Sequence, residues 1–216
     1  LPRPADWGDH NVITGFCALP EAARMGLGEG AGTHELDTFL QAGDPPLYFG
    51  LGSMPMDEWT ALIPQVVEAT ERRGSRLLVS GTLASPAEVE AMLPARARWV
   101  GRANHDLLFP RCCGVVHHGG AGSTATGLRA GRPTLVCSVM GDQPFFGRTV
   151  QRRGVGTWLR LREVTTDRLT RALDVLEDSA VVDRAHRMGE AMRAEPPGAH
   201  VAADALERVG YLAAAV

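Results

Sequence analysis

The chain has 216 residues and a mass of 23.1 kDa, enough for one large domain or two small ones around a sizeable core. Its 22 basic and 25 acidic residues give a formal charge of −3, which argues against a nucleic-acid binder that works through a basic field. All 22 basic residues are Arg, so Schiff-base chemistry and a P-loop lysine are excluded, and no apolar run reaches the roughly 20 residues of a membrane-spanning helix.

Residues 11–17 (NVITGFC) read as a short strand, and residues 27–33 (LGEGAGT) as a Gly-rich flexible link. Thr33 is placed to cap a short helix over 34–41, which Gly43-Asp44-Pro45-Pro46 stops. The run 47–51 (LYFGL), bounded by turn residues, predicts a buried strand. Asp57 then caps a helix reaching about Arg73, with Trp59, Leu62, Ile63, Val66 and Val67 on one face. Pro64 inside that pattern predicts a kink or a later start. Residues 76–80 form a second strand, 86–93 a short helix with Pro at its opening, 98–101 a third strand and 106–109 a helical turn. The fourth strand is 114–117, followed by a helix over 122–130 that closes at Gly131. A fifth strand over 133–139 and a helix over 143–153 come next, and helices over 165–177, 181–193 and 201–214 fill the C-terminal third.

Strands alternating with helices at this spacing predict an α/β fold, a Rossmann-like parallel sheet with helices on both faces. Residues 1–45 are expected to form the opening strand and a link, and residues 46–216 the Rossmann-like domain, the whole chain being one domain. The four cysteines, Cys17, Cys112, Cys113 and Cys137, show no Cys-x-x-Cys spacing. They are expected to be reduced, buried thiols of an intracellular, cytoplasmic protein without a zinc site. No signal peptide is visible, and a start at Leu1 without an initiator Met is expected of a processed or excised chain.

Sheets of this kind bind ligands at the carboxyl ends of their strands. The stretch Val115-Val116-His117-His118-Gly119-Gly120-Ala121-Gly122-Ser123-Thr124 places a Gly-rich turn between a strand and a helix. Glycines allow close backbone approach, and the free N–H groups of a helix N-terminus favour an anion, typically phosphate. Ser123 and Thr124 add hydroxyls, and His118 at the strand exit can donate to a phosphate oxygen. His117, inside the strand, reads as a core or supporting histidine. The stretch is neither a dinucleotide fingerprint, for want of the third Gly, nor a P-loop. One strand later, Asp142 and Gln143 pair a carboxylate with an amide, a combination suited to vicinal hydroxyls of a sugar; Asp142 is equally placed to cap the next helix. Gly50-Leu51-Gly52-Ser53-Met54, at the end of the first alternating strand, offers backbone N–H groups and the Ser53 hydroxyl to the same phosphate.

Residues 99–156, with the ordered set His-His-Gly-Gly-x-Gly-Ser and then Asp-Gln-Pro-Phe, resemble the donor-binding half of a GT-B glycosyltransferase. The likeness is to the family that includes sterol glucosyltransferases and those of glycopeptide and macrolide antibiotics, and NVITG and LYFGLGSM resemble its opening strands. The resemblance implies that Ser53, His118 and the turn Gly120, Ala121, Gly122, Ser123 and Thr124 hold the donor diphosphate, with His118 stabilising the leaving group. It assigns Asp142 and Gln143 to the sugar hydroxyls, and the backbone of Arg102, Ala103 and Asn104, followed by His105, to the base, with Arg102 able to stack on it. Thr126 stands where plant relatives carry a ribose-binding Glu, which leaves both UDP- and dTDP-sugars open as donors.

An inverting transfer to a hydroxyl of a lipid or natural-product acceptor is implied, with the partner N-terminal domain binding the acceptor and supplying the base. On this reading the chain alone is inactive in transfer; His10 precedes the opening strand and is a poor candidate for the base. No Asp-x-Asp occurs, so neither a metal nor a cofactor beyond the nucleotide-sugar is expected. Two other readings stay open: a nucleotide-sugar-binding module or epimerase of the same fold, and a domain that keeps the fold only for partner binding.

Overall fold

Among the described residues, six short segments form the strands β1 (Leu47–Gly50), β2 (Leu77–Ser80), β3 (Ala97–Val100), β4 (Gly114–His117), β5 (Thr134–Ser138) and β6 (Gly156–Arg160). The structure, a computed structural model, describes residues 4–8, 11–19, 23, 34–50, 52, 62–81, 86–101, 103–208 and 210. Every strand pairing is parallel, and the sheet order is β3-β2-β1-β4-β5-β6. The direction of winding therefore reverses between β1 and β4, which are neighbours in register from Leu47 opposite Gly114 to Gly50 opposite His117.

Alternation along each strand sends successive side chains to opposite faces. Leu47, Phe49, Leu77, Val79, Val116, Leu135 and Cys137 enter one core, covered by α2 (Ile63–Glu71), α3 (Pro86–Met92) and α7 (Thr166–Glu177). Tyr48, Leu78 and Val115 enter the other, under α1 (His34–Gln41) and α4 (His105–Leu108). Val136 and Trp158 extend that second face beneath α5 (Ala121–Arg129), α6 (Gln143–Arg152) and α8 (Ser179–Ala194). A last helix, α9 (Gly198–Arg208), carries Leu206 largely exposed.

Local chemistry accounts for the element ends. Pro64 sits in the first turn of α2, where its missing N–H leaves no gap, so the conflict read from the sequence resolves as a later start. Thr165 accepts from the N–H of Arg168 to cap α7, and Asp178 accepts from Ala180 and Val181 to cap α8. Gly131 (φ +70°) closes α5 in a left-handed conformation. Arg76 stacks its guanidinium on the Phe39 ring and donates to the carbonyls of Phe39 and Asp44, clamping α1 and the following link beside β2.

Three expectations need correction. Residues 11–19 join no strand of the sheet; they run past α9 instead, with Phe16 and Thr14 against Gly198. Strand β6 is absent from the sequence reading because its residues are only partly buried at the sheet edge and end on Arg160, so no continuous apolar run marks it. All four cysteines are free, but only Cys112 and Cys137 are buried, each thiol pushed up to about 12 by that burial; Cys17 and Cys113 are exposed. Thr33, Asp57 and Trp59 lie outside the described residues.

Helix α8 meets the end of α5 backbone to backbone. A Cβ on Gly189 would lie 2.6 Å from Gly131 Cα and 2.9 Å from the Leu128 carbonyl oxygen, and neither can yield as a side-chain tip does. Gly189→Ala is expected to cost about 1–3 kcal/mol, the range for overpacking a fitted contact, read as a lowered urea midpoint. A variant as stable as the parent would contradict this seating of α8.

Candidate functional site

At the point where the winding reverses, the chain leaving β1 turns one way and the chain leaving β4 the other, which opens a crevice above their carboxyl ends. Two Gly-rich exits meet there. The imidazole of His118, half-buried, lies between Gly52 beyond β1 and Gly120 before α5. A Cβ on Gly52 would come within 2.7 Å of its Cε1, and a Cβ on Gly120 within 2.5 Å of its Nε2. Gly52 also has φ +71°, a conformation most residues avoid. These glycines make the slot that the ring occupies.

Helix α5 begins at Ala121 with Gly120 as its N-cap, and no side chain caps it. Among the described residues, no acceptor pairs with the N–H groups of Gly120, Ala121, Gly122 and Ser123. Four aligned, unpaired donors at the positive end of a helix dipole form an anion cradle. Beneath it, the N–H of Gly119 donates to Nδ1 of His117 at 2.9 Å. His117 is fully buried, and burial, reinforced by His118 and His105, pushes its pKa down to about 3. Burial also lowers the pKa of His118, partly offset by the nearby Asp142 carboxylate. His117 is therefore neutral at pH 7, and burial biases His118 toward the same form. The buried atoms His118 Nδ1 and His117 Nε2 have no hydrogen-bond partner.

The predicted residues that the structure describes differ in their freedom. His118, Gly120, Ala121, Gly122 and Ser123 line the cradle. Thr124 is buried and donates its hydroxyl to the Gly120 carbonyl at 2.8 Å, so it holds the first turn of α5. Asp142 is the N-cap residue of α6, yet its side chain makes no cap bond and is exposed; the capping alternative is not what the carboxylate does. Gln143 is buried, its Oε1 accepting from the N–H groups of Val139 (2.7 Å) and Met140 (3.1 Å), which pins the loop that presents Asp142. Asn104 is buried and caps α4 by accepting from the Asp106 N–H, and Ala103 packs against the core beside it. Thr126 is buried within α5. Ser53 and Arg102, assigned to the diphosphate and the base, lie outside the described residues, as does His10.

Sequence reasoning missed the supports under the loops. Tyr48 Oη lies 2.9 Å from Nε2 of His105, and the His105 ring stacks on Phe109, anchoring the segment that carries Ala103 and Asn104. Burial holds the Tyr48 phenol above its ordinary pKa. Gly50 makes this possible, because a Cβ there would strike the Tyr48 ring. The alternation of LYFG was the available signal, since it puts Tyr48 and Gly50 on one face.

Known proteins share this fold. The family described as the erythromycin biosynthesis protein CIII-like C-terminal domain matches residues 79–208, and the chain belongs to that family of glycosyltransferase C-terminal domains. A sterol 3-beta-glucosyltransferase of Arabidopsis thaliana is 37% identical over 202 residues, covering 90% of this chain and 30% of the plant protein. An uncharacterized glycosyltransferase of Mycobacterium leprae is 32% identical over 205 residues, covering 94% of this chain and 46% of its own length. Among solved structures, the calicheamicin glycosyltransferase CalG4 superposes with a TM-score of 0.67 at 21% identity, over 78% of this chain and 45% of that one. The glycosyltransferase VinC, in complex with dTDP, gives 0.65 at 19% identity, over 95% and 49%. The fold is thus that of the C-terminal half of a GT-B glycosyltransferase, and the chain spans under half the length of these relatives. Among the described residues, no helix is long and apolar enough to cross a membrane.

The folded pKa of His117, about 3, lies below its unfolded value of about 6.5. The neutral buried ring therefore contributes stability that is fully present above about pH 6.5 and is lost as pH falls toward 3, because the unfolded chain takes up the proton. One proton corresponds to a slope of about 1.4 kcal/mol per pH unit. The stability difference between the parent and His117→Asn, from urea unfolding at pH 7.5, 5.5 and 4.5, is expected to change by about that amount per unit below pH 6. Parallel pH profiles would contradict it.

Proposed function

We propose that this chain binds the nucleoside-diphosphate part of a UDP- or dTDP-sugar and acts as the donor half of an inverting, metal-independent glycosyltransferase. The acceptor is a hydroxyl of a lipid or natural product. The observation that carries this reading is the convergence of four unpaired N–H groups, those of the Gly120 N-cap and the first three residues of α5, with the His118 imidazole at one crevice. A diphosphate is the leaving group whose charge grows as the glycosidic bond breaks, and donors fixed beforehand stabilise that charge without reorganising. His118 donates one hydrogen bond to it as a neutral imidazole. Asp142, exposed and free of capping duty, grips sugar hydroxyls from the neighbouring loop, while Gln143 keeps that loop in shape and offers its amide to the sugar. The backbone of residues 102–104 receives the base, with Ser53 reaching the phosphates from the β1 exit.

The names of the relatives support the class of reaction: sterol glucosylation for the Arabidopsis protein and dTDP binding for VinC. Activation of the acceptor hydroxyl falls to a partner N-terminal domain, so this chain alone binds the donor without transferring it. Four unbridged cysteines accord with a cytoplasmic setting.

Calorimetric titration with UDP, dTDP and the corresponding glucose conjugates tests the reading. His118→Ala is expected to weaken nucleoside-diphosphate binding roughly 10- to 100-fold, the value of one hydrogen bond to a charged group. Asp142→Asn should leave UDP binding unchanged and lower the affinity for the sugar conjugate alone. Flat titrations of the parent with all four compounds would overturn the proposal and favour a domain that keeps the fold only for partner binding.

A further inference from the structure

We propose that His117 is a positioning residue for the diphosphate cradle, setting the direction of the α5 donors through its bond to the Gly119 N–H. The proposal rests on the donor-binding reading above and adds a residue to it that touches neither phosphate nor sugar.

His117 is the last residue of β4, 1% exposed. Its Nδ1 accepts from Gly119 two residues later, closing a short turn directly above the strand. Gly119 has φ +97°, and a Cβ there would lie 2.6 Å from Val136 Cγ1 and 3.1 Å from the Gln143 carbonyl oxygen. The turn is thus wedged between β5 and the start of α6, and the Gly119 N–H has the His117 ring as its acceptor. From this pivot the chain passes through Gly120 into α5, and the next four N–H groups, 120 to 123, are the unpaired donors of the cradle. The same turn carries the His118 ring into its slot between Gly52 and Gly120.

Tautomer chemistry makes the assignment specific. An imidazole that accepts at Nδ1 carries its proton at Nε2, and that Nε2–H is buried without a partner. Simple packing is a poor account of such a residue, because Leu would fill comparable space without leaving a donor unsatisfied. What imidazole supplies, and Leu does not, is the acceptor at Nδ1. Asn supplies one at nearly the same distance from the backbone, so the two substitutions separate the role from the volume.

The test measures uridine and UDP binding by calorimetry for the parent, His117→Leu and His117→Asn. The parent is expected to bind UDP more tightly than uridine. His117→Leu should lose at least about tenfold of UDP affinity, on the scale of one lost hydrogen bond, with uridine affinity held within about twofold; His117→Asn should keep UDP binding within about threefold of the parent. Equal losses in Leu and Asn, or a Leu variant that binds UDP like the parent, would overturn the proposal while leaving the donor reading intact. A parent chain without any preference for UDP over uridine would overturn both. Should His117→Leu fail to fold, 15N shifts of the His117 ring in the parent decide the matter: the Nε2–H tautomer, with Nδ1 coupled to the Gly119 amide, supports it, and the Nδ1–H tautomer overturns it.

Discussion

Parallel strands leave their sheet pointing the same way, and where successive crossovers wind to opposite sides the two departing chains must part. In this molecule that parting lies between β1 and β4, and no side chain of either strand core can fill it, because the gap is made of backbone. The site's features follow from the constraint. The exits are glycines because the two chains and one imidazole have to share a slot too narrow for a Cβ. The first turn of α5 points its N–H groups into the opening because β4 runs straight into that helix.

The cradle is notable for what supplies its positive character. A chain with no Lys places no compact ammonium there, and the described donors that line the cradle are backbone amides, the Ser123 hydroxyl and the His118 imidazole. Such groups keep their direction without a counter-ion and do not carry the desolvation cost of a buried charge. Asp142 is compatible with an anion site next door only because it sits one loop away, exposed to solvent. It is still near enough to counter part of the depression of the His118 pKa.

Much of this was legible in the residues. The motif from Val115 to Thr124 announced a strand, a turn and a helix, and β4 falls on the residues expected. The six-strand order, with its single reversal, required the coordinates, because sequence alternation reports that strands are parallel without saying which lie side by side. Strand β6 escaped because an edge strand does not need a continuous apolar run: Thr157, Trp158 and Leu159 are only half-buried. The roles of Asp142 and Thr124 were ambiguous for a different reason. A carboxylate before a helix reads as a cap and a hydroxyl after a Gly-rich turn reads as a phosphate donor, yet the structure leaves Asp142 uncapping and turns Thr124 inward. Such choices depend on which staggered rotamer a side chain adopts, which a pattern of residue types does not encode.

The supports follow a common logic that ties the fold to the site. Three of the described loops at the carboxyl ends of the strands are held from below by side chains bonded to backbone or to a core aromatic: His117 under the Gly119 turn, Gln143 under the 139–142 loop, and Asn104 with the Tyr48–His105 pair under the 103–104 segment. Loops that present backbone donors gain little from side chains of their own, so their geometry has to be fixed from the layer beneath. That places the determinants of loop shape partly in the buried face of the sheet, where Tyr48 and His117 lie on neighbouring strands and on the same side. A substitution in that layer therefore acts through the shape of a turn at the crevice, and the sheet's order and the geometry of those turns become one problem.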